Sequence, residues 1–502
     1  MKRILCILIM LIIIPLIVGC DNGNGGEIVP TPEPPVEPTG PKKGTYDREY
    51  PSYYEEGVPL VEDAHVVYFN WDGFARYYYD ELVQQAIDAN APTLKRLLTE
   101  GVFFENLRTA LPSITNPCQN MIITGATSSV TENVYRYYDE SANIVVQQQR
   151  DNKNKTIVNM VIEAEMSIAS VRHYLAESQL TATDITKLYV GLDSTNPKLI
   201  ARGSAKQGDH FARFEQLIRL VKGESLTTNG SGVKVTTLPR FIMFYADDLD
   251  AIGHNEAANY GYDRALTEAG RMNNVVTLLK EMDAKLGEFL QVCKDEGIYD
   301  KMTFFLTTDH GMNGFGAESS TTGTKYAMSK LNSLKTKLKE VNKSWELELV
   351  AADSTPKQAS TVVAVGANLN VQLTFRKGIT DEALDQLKEI LLEEEYIGAV
   401  KTRKELIEDG YWVKDTDMII SPSERYHFSG NALTMYLARA QHDSLNDSAN
   451  RIPGWIWGKG IKENYIYEGQ AFNYDFGVTM AACLGLTIPN ANGIVLDIFK
   501  RD

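Results

Sequence analysis

The stretch MTFFLTTDHGM, Met302 to Met312, decides the fold. An apolar run of strand length ends in an acid and an imidazole side by side, Asp309 and His310, followed by Gly311. Successive residues of a strand point to opposite faces, so neighbours can share one purpose only where the pleat has ended and the chain turns. Asp-His-Gly is either ordinary turn punctuation or one corner of a metal site at the carboxyl end of a sheet. Two other apolar runs end the same way. AHVVYFNWDG, 64–73, closes on Asp72, and RFIMFYADDLD, 240–250, closes on acids up to Asp250.

Helical patterns lie between these runs. APTLKRLLTEG, 91–101, puts Leu94, Leu97 and Leu98 on one face, and from about Asn274 to Cys293 the set Val275, Leu278, Leu279, Met282, Leu286, Phe289 and Leu290 keeps a 3.6 period. Continuous apolar strands alternating with amphipathic helices predict an α/β fold: a doubly wound, mostly parallel sheet sandwiched by helices. Ligands of such folds sit beyond the carboxyl ends of the strands. Three acids at three strand ends therefore suggest a site.

The metal-dependent core is expected over 61–345 and 421–502, with a small α+β cap or lid inserted at 346–420. In that insertion TVVAVGANLNVQLTFRKG alternates like paired strands, and ITDEALDQLKEILLEEEYIG reads as a helix with Thr380 as N-cap and Asp381 and Glu382 in its first turn.

The 502 residues are 43% hydrophobic and 23% charged, as in an ordinary globular protein. A formal net charge of −16 argues against a nucleic-acid-binding surface and against broad attraction to anionic lipid. A small anionic substrate then needs a local positive centre, such as a metal ion.

Residues 1–20, MKRILCILIMLIIIPLIVGC, combine a basic start, an apolar stretch and small residues before Cys20. This resembles a bacterial lipoprotein signal, implying cleavage before Cys20, lipid attachment to its sulfur and a place on the extracytoplasmic face of the cell membrane. A plain transmembrane anchor is the alternative, although the apolar run is short for a span. Loss of Lys2 and Arg3 with the leader would take the charge from −16 to −18. Six of the twelve residues from Pro30 to Pro41 are proline, so 21–60 is expected to be a Pro-rich disordered linker. Past Cys20 only Cys118, Cys293 and Cys483 remain, and they form neither a disulfide framework nor a CxxC pair. Metal ligands must then be oxygen and nitrogen.

Two of the seven histidines stand in motifs with acids: Asp250 and His254 four apart in DLDAIGH, and His310 beside Asp309. A carboxylate and an imidazole four apart in a first helical turn can close on one ion. FLTTDHGM, YADDLDAIGH, NWDG and LPSITNPCQNMIITGA together resemble the core motifs of the alkaline phosphatase superfamily, nearest its type I phosphodiesterase and nucleotide pyrophosphatase branch. The resemblance runs from about residue 61 to 502.

It implies two zinc ions, with manganese or iron also compatible with such ligands. One would be held by Asp72, Asp309, His310 and the nucleophile Thr115, the other by Asp250, His254 and a late histidine. His442 in AQHDSLND is chosen for that last ligand although Asp443 stands where the family has glycine, and His427 is the alternative.

The implied activity is hydrolysis of phosphodiesters or nucleotide pyrophosphates, small phosphorylated substrates, through a covalent phospho-threonine. On residues alone, Thr115 reads equally as the N-cap of the following helix. The family's usual extra donor to the phosphoryl oxygens has no match in TSSVTENVYRYYDE, where Asn133 and then Arg136 are the candidates. His65, His173 and His210 read as structural or exposed, Cys118 as a packed residue, and the tyrosine runs RYYYDEL and YRYYDE as cleft lining or packing. Alternatives are a phosphomonoesterase, phosphonate hydrolase or phosphoethanolamine-type transferase on the same core, or a non-catalytic binding lipoprotein.

Overall fold

Each of the three apolar runs that close on acids forms a strand, and the three lie side by side at the centre of one sheet. His65–Trp71 pairs in parallel with Met302–Thr307 on one side and with Phe241–Ala246 on the other. The computed structural model describes residues 42–43, 48–84, 91–191, 210–228, 230–256, 262–314, 328–366, 369–424, 426–430 and 438–501. Residues 1–20, read above as a signal with Cys20 at its end, and the proline-rich stretch 30–41 lie outside them.

Among the described residues the main sheet has nine strands, in the order Lys42–Lys43, Tyr465–Tyr467, Gly101–Phe104, Trp455–Gly458, Met302–Thr307, His65–Trp71, Phe241–Ala246, Ile168–Val171, Lys187–Val190. Trp455–Gly458 alone runs antiparallel to its neighbours. The fold is therefore the doubly wound α/β sandwich expected from the sequence.

Both faces of this sheet are buried, which is why its strands read as continuous apolar runs. Along the first strand Val67, Phe69 and Trp71 face one core and Val66 and Tyr68 the other. The first core is closed by the helices Glu268–Asp295 and His210–Val221. The second is closed by Ile157–Glu163 and Asn473–Cys483, with Ile122 and Ile123 of the helix Thr115–Thr124. The helix expected from about Asn274 starts earlier, at Glu268, capped by the Thr267 side chain.

A separate five-stranded sheet holds Leu347–Leu349, Val362–Val365, Val371–Phe375, Met418–Pro422 and Ile397–Thr402, in that spatial order. Its helix Asp381–Leu392 is capped by the Thr380 side chain, as the sequence suggests. Helix Leu331–Val341 joins the same apolar cluster, so this unit begins before residue 346. It is anchored by the hairpin Arg136–Asp139 and Ile144–Gln147, where Tyr138 and Val145 pack with Val350, Val363 and Val365.

The linker expectation needs correction at its end. Tyr53, Tyr54 and Leu60 pack against the second core, and Arg48 pairs with the fully buried Asp475 at 2.9 Å. Residues 48–60 thus belong to the folded body.

Candidate active site

Three strand ends deliver the acids. Asp72 follows the first strand directly, Asp309 lies two residues beyond Thr307, and Asp250 rides on the short helix Asp248–Gly253 after Ala246. Gly73 joins the first and third of these. Its φ of +72° suits glycine, and a Cβ there would come within 2.6 Å of the Asp250 Cα. Gly311 serves by close approach: a Cβ would meet the Ser448 carbonyl at 2.4 Å, and its N–H donates to the Ala449 carbonyl at 2.7 Å. The adjacency of Asp309 and His310 is thus held by the segment 448–449 rather than by a left-handed turn.

Asp309 shows how the site is oriented. Its Oδ1 accepts hydrogen bonds from the Thr308 hydroxyl at 3.0 Å, the His310 N–H at 3.0 Å and the Gly73 N–H at 3.3 Å. Its Oδ2, fully buried, accepts none. Asp72 repeats the pattern: Tyr245 donates its hydroxyl to Oδ2, leaving Oδ1 bare. Asp250 Oδ1 is also buried and bare.

The imidazoles are equally polarised. Nδ1 of His310 lies 2.9 Å from the Gly311 carbonyl, Nδ1 of His254 3.0 Å from that of Ala440, and Nδ1 of His442 2.7 Å from that of Ser113. A carbonyl can only accept, so each Nδ1 carries the proton and each Nε2 presents a lone pair.

These atoms converge. His310 Nε2 lies 3.4 Å from Asp72 Oδ1 and 3.6 Å from Asp309 Oδ2, while Asp250 Oδ1 is 3.2 Å from His254 Nε2 and 3.7 Å from His442 Nε2. The His310 and His442 rings stack at 3.7 Å. One compact ligand set is Asp72, Asp309 and His310, and a second is Asp250, His310 and His442, so His310 sits where the two sets meet. His254 reaches the second set through Asp250, with its ring 5.0 Å from that of His442.

Buried acceptor oxygens facing bare imidazole nitrogens form an arrangement that a cation between them would satisfy, because carboxylates crowded away from water repel one another. Burial, then Asp309 and Asp250, push the Asp72 carboxyl well above the usual range. At Asp250 burial also pushes up, but His254, His442 and His310 outweigh it and hold that carboxyl below its ordinary value. The residues present fit oxygen- and nitrogen-liganded divalent metal.

Thr115 opens the helix Thr115–Thr124, and its hydroxyl donates to His310 Nε2 at 3.1 Å. The N-cap is Ile114, so Thr115 is not the capping residue. A cavity of about 320 Å³ is lined by Thr115, Asn116, Tyr135, His254, Gln441 and His442, with Ile114, Glu256 and Asp443 completing the wall.

Other sequence expectations fall elsewhere. Asn133 is fully buried, and its amide donates to the carbonyls of Gln149 at 3.1 Å and Asp151 at 2.8 Å. It has no donor left for a substrate, and its expected role is corrected accordingly. Arg136 turns to Gln147 at 2.8 Å and the Gly366 carbonyl at 2.6 Å, binding the hairpin to the second sheet. His427 lies on the two-residue strand Tyr426–His427 beside Met328–Ser329, outside both ligand sets. Asp443 ties the His442 segment to the second sheet by accepting from Asn370 at 3.2 Å. Cys118 is buried against the Pro112 carbonyl and the Thr109 hydroxyl, and burial pushes its thiol up. His173 and His210 are buried rather than exposed. Tyr77 and Tyr78 accept hydrogen bonds from Arg271, whereas Tyr135 faces the cavity. Tyr245 and Ser113 give no sequence signal, since one sits inside an apolar run and the other acts through its backbone carbonyl.

The sequence profile of type I phosphodiesterase / nucleotide pyrophosphatase matches residues 66–444. The chain belongs to that family. It is a phosphoric ester hydrolase by family. Its fold is similar to murine ectonucleotide pyrophosphatase / phosphodiesterase 5, with TM-score 0.57 and 14% identity over 86% of this chain and 97% of that one. An inactive threonine-to-alanine form of the same murine protein, in complex with AMP, gives TM-score 0.56 at 14% identity over the same shares. Alkaline phosphatase PafA is similar at TM-score 0.55 and 14% identity, over 88% of this chain and 99% of that one. No curated protein matches the chain by sequence.

Proposed function

We propose that the chain is an extracytoplasmic two-zinc hydrolase of phosphate esters, of phosphodiester or nucleotide-pyrophosphate type, acting through a phospho-threonine at Thr115. The observation that carries this reading is the Thr115 hydroxyl at the start of a helix, 3.1 Å from His310 Nε2, which itself lies 3.4 Å from the bare Oδ1 of Asp72 and 3.6 Å from the bare Oδ2 of Asp309. Asp72, Asp309 and His310 would hold one cation with Thr115, and Asp250, His254 and His442 the other. When bound, the pair supplies Lewis acidity and positive charge, which lower the pKa of the attacking hydroxyl and offset charge on the departing oxygen.

The Thr115 oxygen attacks phosphorus in line with the leaving oxygen. The Thr–O–P bond forms as the P–O bond to the leaving group breaks, the Thr115 proton passes to solvent water, and the leaving oxygen takes a proton from solvent water in turn. Water then attacks the phospho-threonine, the Thr–O–P bond breaks, and the Thr115 oxygen recovers its proton. Backbone N–H groups at the start of Thr115–Thr124 favour the anionic phosphoryl group. The AMP complex of the murine relative supports a nucleotide-type ester as one substrate class. The leader ending at Cys20 supports lipid attachment to the outer face of the membrane.

The test is kinetic. Metal-loaded protein hydrolyses bis(p-nitrophenyl) phosphate, Thr115→Ala lowers turnover by about 10³-fold or more, and Thr115→Ser retains part of it. Undiminished turnover in Thr115→Ala rejects the reading.

A further inference from the structure

Residues 173 and 174 grip the start of the helix Thr115–Thr124 at two points. The Tyr174 hydroxyl donates to Asn116 Oδ1 at 2.9 Å. One residue earlier, His173 Nε2 lies 3.1 Å from Oε1 of Gln119, and Gln119 donates through Nε2 to Asn70 Oδ1 at 2.8 Å on the strand that leads to Asp72. Asn116 and Gln119 are three apart and share one helix face. The Tyr174 ring meets Tyr245 edge-on at 5.3 Å, and Tyr245 donates to Asp72 Oδ2. The group of side chains that seats Asp72 therefore also seats Asn116.

Asn116 follows Thr115 and lines the same cavity. With Oδ1 engaged by Tyr174, the amide orientation is set and Nδ2 carries the free donors. Among the described residues nothing accepts from that nitrogen, and it is not one of the buried orphan atoms, so it is open to a ligand in the cavity. A phosphoryl group under attack by the Thr115 oxygen stands about 3 Å from it. The Asn116 amide, one residue along, lines the same cavity that a phosphoryl group would enter.

We propose that Asn116 donates from Nδ2 to a non-bridging phosphoryl oxygen as charge develops there, and that Tyr174 is the positioning residue that fixes the amide. Asn116 takes the part that Asn133, spent on Gln149 and Asp151, does not play. The proposal rests on the phosphoryl-transfer reading above. A neutral amide donor held in place stabilises developing negative charge without reorganising, and losing one such donor costs about 10² in rate.

The experiment uses metal-loaded protein, bis(p-nitrophenyl) phosphate as substrate and inorganic phosphate as competitive inhibitor. Asn116→Ala lowers kcat/KM about a hundredfold and weakens phosphate inhibition about tenfold. Asn116→Asp keeps the shape but replaces the donor with a negative acceptor, falls further, and carries the same test should Asn116→Ala fail to fold. Tyr174→Phe lowers kcat/KM about fivefold and adds nothing on top of Asn116→Ala. That non-additivity is what positioning through Asn116 requires and a general packing role would not give. The proposal is overturned if Asn116→Ala and Asn116→Asp stay within about twofold of the parent while Thr115→Ala is inactive. It is also overturned if the Tyr174→Phe loss multiplies with that of Asn116→Ala. Full turnover in Thr115→Ala instead removes the phosphoryl-transfer reading and the proposal together.

Discussion

At the scale of a single residue, Asp309 accepts three hydrogen bonds on one oxygen and none on the other, an asymmetry that suits a metal ligand. A carboxylate meant only to punctuate a strand would have water or donors on both oxygens. The sequence supplied the residue types at these positions but not which oxygen is held, because the holders are the backbone N–H groups of Gly73 and His310 and the Thr308 hydroxyl. Asn133 shows the reverse. The right residue type stands at a plausible distance along the chain, yet its backbone neighbours claim both amide hydrogens. His173 was legible neither as buried nor as part of the Asn70–Gln119 network, since its burial comes from segments remote in sequence.

Burial depresses the His173 pKa from 6.5 to about 3. Between those values the unfolded chain binds a proton that the folded chain refuses, so stability falls as pH drops below 6.5. The expected loss from this group between pH 6.5 and pH 4.5 is about 2 to 3 kcal/mol, measured by denaturant unfolding. His173→Asn should unfold with a visibly flatter pH dependence over that range. An unchanged slope contradicts the assignment.

Among elements, the apolar strands that end in acids were the most legible features. Runs such as Met302–Thr307 and Phe241–Ala246 are apolar on both faces because helices cover both faces. Helix–helix contacts were not legible, because they depend on small residues whose sequence context is bland. Gly477 is the sharpest case: a Cβ there would lie 1.8 Å from the Ile122 carbonyl oxygen, where the helix Asn473–Cys483 crosses the helix that starts at Thr115. Gly477→Ala must push these helices apart. Overpacking of this kind costs on the order of 3 kcal/mol, and here the displaced helix is the one that aims Thr115. We expect a lowered unfolding midpoint together with a drop in kcat on bis(p-nitrophenyl) phosphate. Parent-like values of both would show that the crossing does not position Thr115.

For the whole molecule, the sandwich and its site at the carboxyl ends of three adjacent strands follow from topology that the apolar runs already encode. The extent of the outlying units does not. Helix Leu331–Val341 belongs to the second sheet's core, and Arg48 is drawn onto the body by Asp475, with its guanidinium 4.8 Å from the Phe472 ring centroid. Both boundaries are set by contacts with residues far along the chain, which composition does not reveal. The late histidine is a similar case. The sequence favours His442 over His427 only through its resemblance to a family segment, and the fold carries the first to Asp250 and Ser113 and the second to Met328–Ser329.

The central claim is a two-cation centre built on two sets of Asp and His ligands, and metal content measured by inductively coupled plasma mass spectrometry tests it most directly. The account predicts about two zinc equivalents per parent chain, and about one after Asp72 and Asp309 are both changed to alanine. The same fall to about one follows when His254 and His442 are both changed, and no fall in His427→Ala. A parent chain that binds no metal, or a doubly substituted Asp72→Ala and Asp309→Ala chain that keeps both equivalents, would contradict it.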